Sequence, residues 1–166
     1  MSDIHEKKLV LVRHSYALST VEAGVPSDFE RPLSAKGEEA AVRLARLLSE
    51  NGIKKAALLA SPLKRAAETA AIIAEYVEGE IKTDPRLSGD YSITEMWTAV
   101  FQALEKTDCL VVVSHQPLIG MLAGVLCGRQ AFAYRPAGFT IVSFAGQPGR
   151  ELFCAAASEV RSVLEP

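Results

Sequence analysis

Cysteine is scarce in this chain, and its spacing excludes several kinds of site. The 166 residues include Cys109, Cys127 and Cys154, and no two of them form a CxxC pair. Three such thiols give neither a zinc site nor a disulfide framework. They are typical of a reducing cytosol, so we expect a cytoplasmic protein. No arginine follows any of these cysteines six positions later, which excludes the spacing of a cysteine-dependent phosphatase site.

Basic excess, long apolar runs, nucleotide-binding glycine loops and carboxylate clusters are also missing. Lys and Arg number 18 against 20 Asp and Glu, and this formal net charge of -2 argues against a general nucleic-acid-binding protein. No segment is long enough to cross a membrane, so we expect no membrane partner. The chain has no GxxxxGK(S/T) loop for nucleoside triphosphates. Without a carboxylate cluster we expect no metal site, and we expect no cofactor.

The composition that remains is that of an ordinary globular protein. Hydrophobic residues make up 49% of the chain and charged residues 23%. A length of 166 residues suits one domain with a sizeable core. We therefore expect a single domain that covers residues 1–166.

Short apolar runs alternate with amphipathic patterns along the chain. Runs of this kind are typical of buried parallel strands, and the intervening spacing of apolar residues is typical of helices. The predicted strands cover residues 8–13, 55–60, 81–83, 109–114, 139–145 and 151–156. The predicted helices cover residues 34–51, 61–77, 92–106 and 117–128. This alternation predicts an α/β fold, a three-layer α/β/α sandwich with a mostly parallel central sheet.

Local signals set several of the expected helix boundaries. Ser34 and Ser61 are each positioned to cap a helix, and Pro62 would take the first helical position after Ser61. Ser92 and Glu95 have the spacing of a capping box.

Two further predictions concern the segment after the first strand and the C-terminal part of the chain. Residues 15–33 show no clear periodicity, so we expect a loop that lies over the strand ends. The strands at 139–145 and 151–156 are expected to form a hairpin, and the last ten residues are expected to fray.

Cationic and hydroxyl side chains follow three of the predicted strands directly. The first strand ends in Arg13-His14-Ser15, the second in Ser61-Pro62 with Arg65 just beyond, and the fourth in Ser114-His115-Gln116-Pro117. Ligands of open parallel sheets bind outside the carboxyl ends of the strands. We therefore expect two arginines and two histidines to converge there as an anion site.

This set of side chains suits phosphoryl transfer. The transferred group carries charge on three oxygens, which two arginines and a histidine can surround. A neutral imidazole can attack phosphorus and divide the reaction through a covalent phosphohistidine. Adjacent cations disfavour the charged imidazole, so His14 beside Arg13 is the predicted nucleophile, and His115 would support the transferring group.

Four segments of the chain resemble the motifs of one family in the right order. The chain is similar to members of the histidine phosphatase (phosphoglycerate mutase-like) superfamily, in particular to phosphohistidine phosphatases of the SixA type. The matching segments are Leu11–His14, Arg31–Gly37, Ser61–Ala70 and Ser114–Gly120. The resemblance implies a phosphoglycerate mutase-like fold and a phosphorylated nucleophile at His14. It also implies that Arg13, Arg65 and His115 form the phosphate pocket, with substrate contacts from Arg31 and from the backbone amide of Gln116.

The chain departs from the family pattern at two places. Ser15 replaces the usual glycine after Arg-His, and its side chain is expected to narrow the pocket or reshape the turn. The loop that carries a glutamate general acid in larger members offers Asp90 as the candidate acid, since Glu95 is better explained by helix capping.

A site with a weak or absent general acid favours a leaving group that needs no proton from the enzyme. An alkoxide must be protonated as it leaves, whereas the imidazole of phosphohistidine leaves readily once its ring is protonated. The leading hypothesis is a metal-independent phosphatase whose partner is a phosphorylated protein with a phosphohistidine. Two alternatives are a phosphatase of small phosphate esters such as a sugar phosphate or nucleotide, and a catalytically impaired protein that only binds phospho-ligands.

Overall fold

The fold is built on one mixed β-sheet. The computed structural model describes residues 5–155 and 157–163. Within those residues the sheet has six strands in the order β3-β2-β4-β1-β5-β6. They are β1 (Glu6–Arg13), β2 (Ala57–Ala60), β3 (Ile81–Thr83), β4 (Cys109–Ser114), β5 (Phe139–Ala145) and β6 (Glu159–Val163). β4 runs parallel to both β1 and β2, and β3 runs parallel to β2. β5 runs antiparallel to both of its neighbours, β1 and β6.

Helices cover both faces of the sheet. They are α1 (Thr20–Ala23), α2 (Ala35–Glu50), α3 (Lys64–Ala74), α4 (Ile93–Leu104) and α5 (Leu118–Leu126). Leu9 and Leu11 of β1 pack into one apolar cluster with α4 and α5. Val10 and Val12 pack into a second cluster with α2 and α3. Because successive side chains of a strand point to opposite faces, this division confirms the predicted three-layer α/β/α sandwich.

Two of the three predicted helix starts are confirmed. The Ser34 hydroxyl accepts a hydrogen bond from the backbone N–H of Gly37 at the start of α2. Ser92 and Glu95 form a complete capping box at the start of α4. In the described part of the chain, no helix is long and apolar enough to cross a bilayer.

The prediction for the chain after β5 is wrong. Leu152–Cys154 form a 3-10 turn rather than a strand, and residue 156 lies outside the described residues. Leu152 is buried in the cluster beneath α4 and α5, and the indole N–H of Trp97 donates to the carbonyl of Arg150 at 3.0 Å. The partner of β5 is β6, within the ten residues expected to fray. This edge strand has one neighbour, which stabilises it through backbone hydrogen bonds.

Residues 15–33 lie over the carboxyl ends of the strands, as predicted. The segment contains α1 and a 3-10 turn at Asp28–Glu30. The backbone carbonyl of Asp28 accepts a hydrogen bond of 2.9 Å from Arg65 on α3. The aperiodic segment thus reaches the region where the sequence places its anion site.

Candidate active site

The residues that directly follow three neighbouring strands lie at the same edge of the sheet. His14 follows β1, Ser61 follows β2 and His115 follows β4, which lies between the other two strands. The sheet register continues for one more step, since the N–H of His14 donates to the carbonyl of Ser114 at 3.0 Å and that of Ser61 donates to the carbonyl of Val113 at 2.9 Å. Parallel pairing therefore fixes the spacing of these three side chains.

His14 lies next to both His115 and Arg65. The ring centroids of His14 and His115 lie 5.0 Å apart. The Nε–H of Arg65 approaches the Nε2 atom of His14 at 3.4 Å. Arg65 is the second residue of α3, so the first turn of that helix points it at the ring. The predicted convergence of His14, His115 and Arg65 is present.

Arg13 lies close to this group, and a backbone carbonyl holds its guanidinium. Its Nη1 donates to the carbonyl of Tyr134 at 2.7 Å. Its Nε is buried and has no hydrogen-bond partner among residues 5–155 and 157–163. The positive charge contributes to the lowered pKa of both His14 and His115. Arg13 thus adds positive charge close to both histidines.

The contacts of His14 determine which ring nitrogen carries the proton. Its Nδ1 lies 2.7 Å from the carbonyl oxygen of Ser15, and a carbonyl oxygen can only accept. In the neutral ring Nδ1 is therefore protonated, and the lone pair of Nε2 faces Arg65. Burial, together with the charges of Arg65, Arg13 and Arg31, lowers the pKa of His14 to about 4, against the opposing effect of the Ser15 bond. His14 is neutral at pH 7.

His115 is also neutral at pH 7. Burial lowers its pKa to about 3, with contributions from His14, Arg65 and Arg13. Its Nε2 lies 2.7 Å from the Ser61 hydroxyl. Its Nδ1 is buried and lacks a hydrogen-bond partner within the described residues. The site thus combines two neutral imidazoles with arginine charges, which suits a bound anion.

Ser61 has a different role from the predicted one. The N-cap position of α3 is Leu63, without a side-chain cap, and the helix begins at Lys64. The Ser61 hydroxyl does accept a hydrogen bond from the N–H of Leu63, at 3.3 Å. Because residues 61–63 are not yet helical, the same hydroxyl also reaches His115. The expectation of a helix cap at Ser61 is therefore wrong, and the residue belongs to the site.

Ser15 faces away from the histidines. Its hydroxyl donates to the carbonyl of Gly37 at 2.7 Å, and its side chain is fully buried. Its N–H donates to the Thr69 hydroxyl at 3.1 Å. The Ser15 side chain therefore binds the start of α2 rather than a histidine.

Arg31 reaches the site through another residue, Asp28. Its Nη1 donates to Asp28 Oδ1 at 2.8 Å, and its Nε donates to the carbonyl of Leu18 at 2.7 Å. The other carboxylate oxygen, Oδ2, accepts from Arg65 Nη2 at 3.0 Å. Asp28 has no counterpart among the predicted site residues. The available signal was its position three residues before Arg31, beside a family motif.

The side chain of Gln116 bonds to a backbone carbonyl, and Asp90 lies on an exposed surface. The Gln116 side-chain amide donates to the carbonyl of Phe132 at 3.0 Å. The contact predicted for its backbone amide stays a prediction. Asp90 is exposed and lines a shallow hollow together with Phe29 and Tyr91. Its role as an acid also stays a prediction.

Comparison with known proteins gives the family. Residues 9–99 match the model of the histidine phosphatase superfamily, branch 1. A protein from Picosynechococcus of unknown function is 31% identical over 128 residues, which cover 74% of each chain. The chain belongs to the histidine phosphatase superfamily, and this membership supports a phosphatase as its class.

A longer protein matches this chain over a shorter segment. GpmB from Escherichia fergusonii, assigned as a phosphoglycerate mutase, is 36% identical over 80 residues. The matched segment is 48% of this chain and 36% of GpmB, so this chain covers well under half of that relative.

Solved structures share the fold. A protein from Nakamurella multipartitia, assigned as a phosphohistidine phosphatase SixA, superposes with a TM-score of 0.74 at 22% identity, covering 94% of this chain and 95% of its own. The protein histidine phosphatase SixA, solved with tungstate, also gives 0.74, at 23% identity and with 93% and 96% coverage. A mycobacterial glucosyl-3-phosphoglycerate phosphatase gives 0.65 at 18% identity and with 95% and 97% coverage. The fold is therefore phosphoglycerate mutase-like, as the sequence predicts.

Proposed function

We propose that this protein is a metal-independent phosphatase that forms a phosphohistidine on His14 and removes phosphate from phosphohistidine in a partner protein, such as a phosphorelay domain. One observation supports it above the others. The unprotonated Nε2 of His14 faces Arg65, while Nδ1 is held by the carbonyl of Ser15. This is a nucleophile with its lone pair aimed into a cationic pocket. We also propose that the protein is located in the cytoplasm.

The reaction has two steps. His14 Nε2 attacks the phosphorus, a P–N bond to His14 forms, and the bond to the leaving group breaks with its electron pair on that group. Water then attacks the phosphorylated His14, phosphate leaves and the neutral ring returns. Arg13 and Arg65 balance the charge on the equatorial oxygens in both steps, and His115 contacts the same group.

The side chains near the pocket favour an imidazole leaving group. Asp90 is exposed. The Arg31 hydrogen bond holds the pKa of Asp28 below its usual range, so that carboxylate is ionised at pH 7. A phosphate ester would need a protonated acid at its leaving oxygen, whereas a protonated phosphohistidine ring does not. The fold shared with SixA proteins also supports a protein-borne phosphohistidine.

A phosphatase of small phosphate esters is the second candidate. It draws support from the match to a phosphoglycerate mutase and from the fold shared with the glucosyl-3-phosphoglycerate phosphatase. In this alternative Asp90 would be the general acid, and Arg31 and Gln116 would contact the ester. Asp90→Asn should then slow ester hydrolysis strongly while slowing phosphohistidine hydrolysis little.

The test compares substrates side by side. A phosphohistidine-containing phosphorelay domain and a panel of phosphate esters are offered to the wild type and to His14→Ala. The wild type should hydrolyse the phosphohistidine faster, and acid-labile label should appear on His14. His14→Ala should lose at least about 1000-fold in turnover. Retained activity would contradict this nucleophile, and phosphate binding without labelling would favour an impaired binding protein.

The same assay tests metal independence. We expect EDTA to leave the rate of the wild type unchanged. A clear loss that added divalent cations restore would point to a metal mechanism instead. Thermal unfolding of the wild type with and without EDTA separates an effect on stability from one on turnover.

A further inference from the structure

The guanidinium of Arg65 uses two different edges. Its Nε–H faces His14 Nε2 at 3.4 Å. Its outer fork bonds to Asp28, since Nη1 donates to the backbone carbonyl at 2.9 Å and Nη2 donates to Oδ2 at 3.0 Å. A phosphoryl group on His14 can use the edge that carries Nε, because Asp28 occupies only the outer fork.

Asp28 lies on the solvent side of Arg65. The Arg65 side chain is 9% exposed, whereas that of Asp28 is 61% exposed. Arg31 holds the second carboxylate oxygen at 2.8 Å. Each carboxylate oxygen accepts one of these bonds and keeps a further lone pair. A carboxylate held by two arginines thus lies on the exposed side of Arg65, and in the proposed reaction a leaving group attached to a protein departs on that side.

This carboxylate acts oppositely on the two kinds of substrate. Negative charge develops on the oxygen of an ester as its P–O bond breaks, and a nearby anion raises the energy of that transition state. A phosphohistidine ring protonated on its second nitrogen is cationic, and its N–H can donate to a carboxylate. When the P–N bond breaks, the electron pair returns to the ring, which leaves as neutral imidazole. The carboxylate thus favours the reactive, protonated form.

We propose that Asp28 is a specificity-determining residue, which favours a protonated imidazole as leaving group over an alkoxide or phenoxide. This inference rests on the proposed phosphatase function and adds to it the residue that selects the substrate class. The ion pair of Asp28 with Arg31 keeps the carboxylate ionised, so it cannot serve the ester as a proton donor. Asp28 also positions Arg65, and the test must separate these two effects.

The experiment measures kcat/KM at pH 7 for free phosphohistidine and for phenyl phosphate. Asp28→Asn keeps the shape of the side chain and an oxygen acceptor for Arg65 but removes the charge. We expect kcat/KM for phosphohistidine to fall about tenfold or more, in line with the loss of one charge-assisted hydrogen bond. The value for phenyl phosphate should stay unchanged or rise. Asp28→Glu, which retains the charge, should keep most of the preference for phosphohistidine.

Glu30→Gln supplies the matched control. Glu30 lies in the same 3-10 turn, accepts a hydrogen bond from Ser27 at 3.0 Å and is exposed. Its neutralisation removes the same charge two residues away and should leave the ratio of the two kcat/KM values unchanged. Thermal unfolding of each variant verifies that the turn is folded.

The outcomes distinguish this inference from the proposed function. If Asp28→Asn lowers both kcat/KM values by the same factor, Asp28 only positions Arg65 and the inference is overturned. If neither kcat/KM value changes, the inference is overturned as well. If the wild type hydrolyses neither substrate and no label reaches His14, the proposed function fails, and this inference fails with it.

Discussion

The Nε2 atom of His115 lies 2.7 Å from the hydroxyl oxygen of Ser61, and this contact joins the ends of β4 and β2. Ser61 is fully buried and His115 is 6% exposed. Water has little access to replace the contact. The orientation of the His115 ring therefore depends on a single hydroxyl from the neighbouring strand.

Ser61→Ala should weaken catalysis through His115. The loss of the hydroxyl leaves a buried ring nitrogen without its partner, which costs about 1–3 kcal/mol in stability. In the proposed mechanism the freed ring is no longer held towards the phosphoryl group, so we expect kcat to fall about tenfold. Stopped assays with the best substrate and urea unfolding measure the two effects.

Ser114→Ala is the matched control for that change. The Ser114 hydroxyl is also fully buried, but it donates to the carbonyl of Leu87 at 2.8 Å rather than to a histidine. This variant should lose stability to a similar extent and keep most of its kcat. Equal losses of kcat in both variants would mean that the Ser61 hydroxyl matters only for folding.

Stability should fall as the pH is lowered from about 6.5 towards 5. The folded pKa values of His14 and His115 are about 4 and about 3, below the usual 6.5 that applies in the unfolded chain. The unfolded chain therefore binds more protons in this window, and each histidine lowers the free energy of unfolding by up to about 1.4 kcal/mol per pH unit. Both contributions are fully present above the unfolded pKa.

Urea unfolding at pH 7, 6 and 5 measures this slope. Most carboxyl groups stay ionised in both states above pH 5, so the histidines dominate the window. The double variant His14→Asn, His115→Asn should show a much flatter slope. A slope as steep in that variant as in the wild type would assign the pH dependence to other groups.

The sequence predicts the layers and the meeting point of His14, Arg65 and His115 because both follow from local rules. Alternation of apolar runs with helical patterns defines the layers, and parallel pairing brings the ends of adjacent strands together. The same reasoning fails for β6, whose residues are mostly polar. An edge strand needs only one neighbour and no continuous apolar face, so its pattern resembles that of a loop.

Ser61 and Asp28 show why the rest of the site needs the structure. Ser61 precedes a proline and a helical pattern, which favours the interpretation as a cap, yet its partner His115 is 54 residues away in sequence. Asp28 lies in an aperiodic segment and bonds to Arg65 across 37 residues. Local patterns carry no information about such distant contacts.

Gly37→Ala should disrupt the loop that follows His14. A Cβ atom at Gly37 would lie 1.9 Å from the carbonyl oxygen of Tyr16, far inside contact distance. The start of α2 and residues 15–16 must move apart, which strains the hydrogen bond from Ser15 to the Gly37 carbonyl. We expect a loss of about 1–3 kcal/mol in the free energy of unfolding, measured in urea.

Glu38→Ala, at the next position of α2, controls for a change in helix composition. Glu38 is exposed, and the substitution should change stability by less than about 0.5 kcal/mol. If Gly37→Ala is as stable and active as the wild type, the contact with Tyr16 does not constrain the site.

Arg65→Lys should weaken anion binding although the charge is retained. One edge of the Arg65 guanidinium contacts His14 and the other bonds to Asp28. A lysine ammonium has no second edge at the required angle. Loss of one hydrogen bond to a charged partner, about 1.5–3 kcal/mol, corresponds to roughly a tenfold to hundredfold weaker affinity. Calorimetric titration with tungstate measures it without turnover. Lys64→Arg changes the exposed neighbour at the start of α3 in the opposite sense, and it should bind tungstate like the wild type. An affinity of Arg65→Lys equal to that of the wild type would mean that positive charge alone, and not the two-edged guanidinium, holds the anion in this pocket.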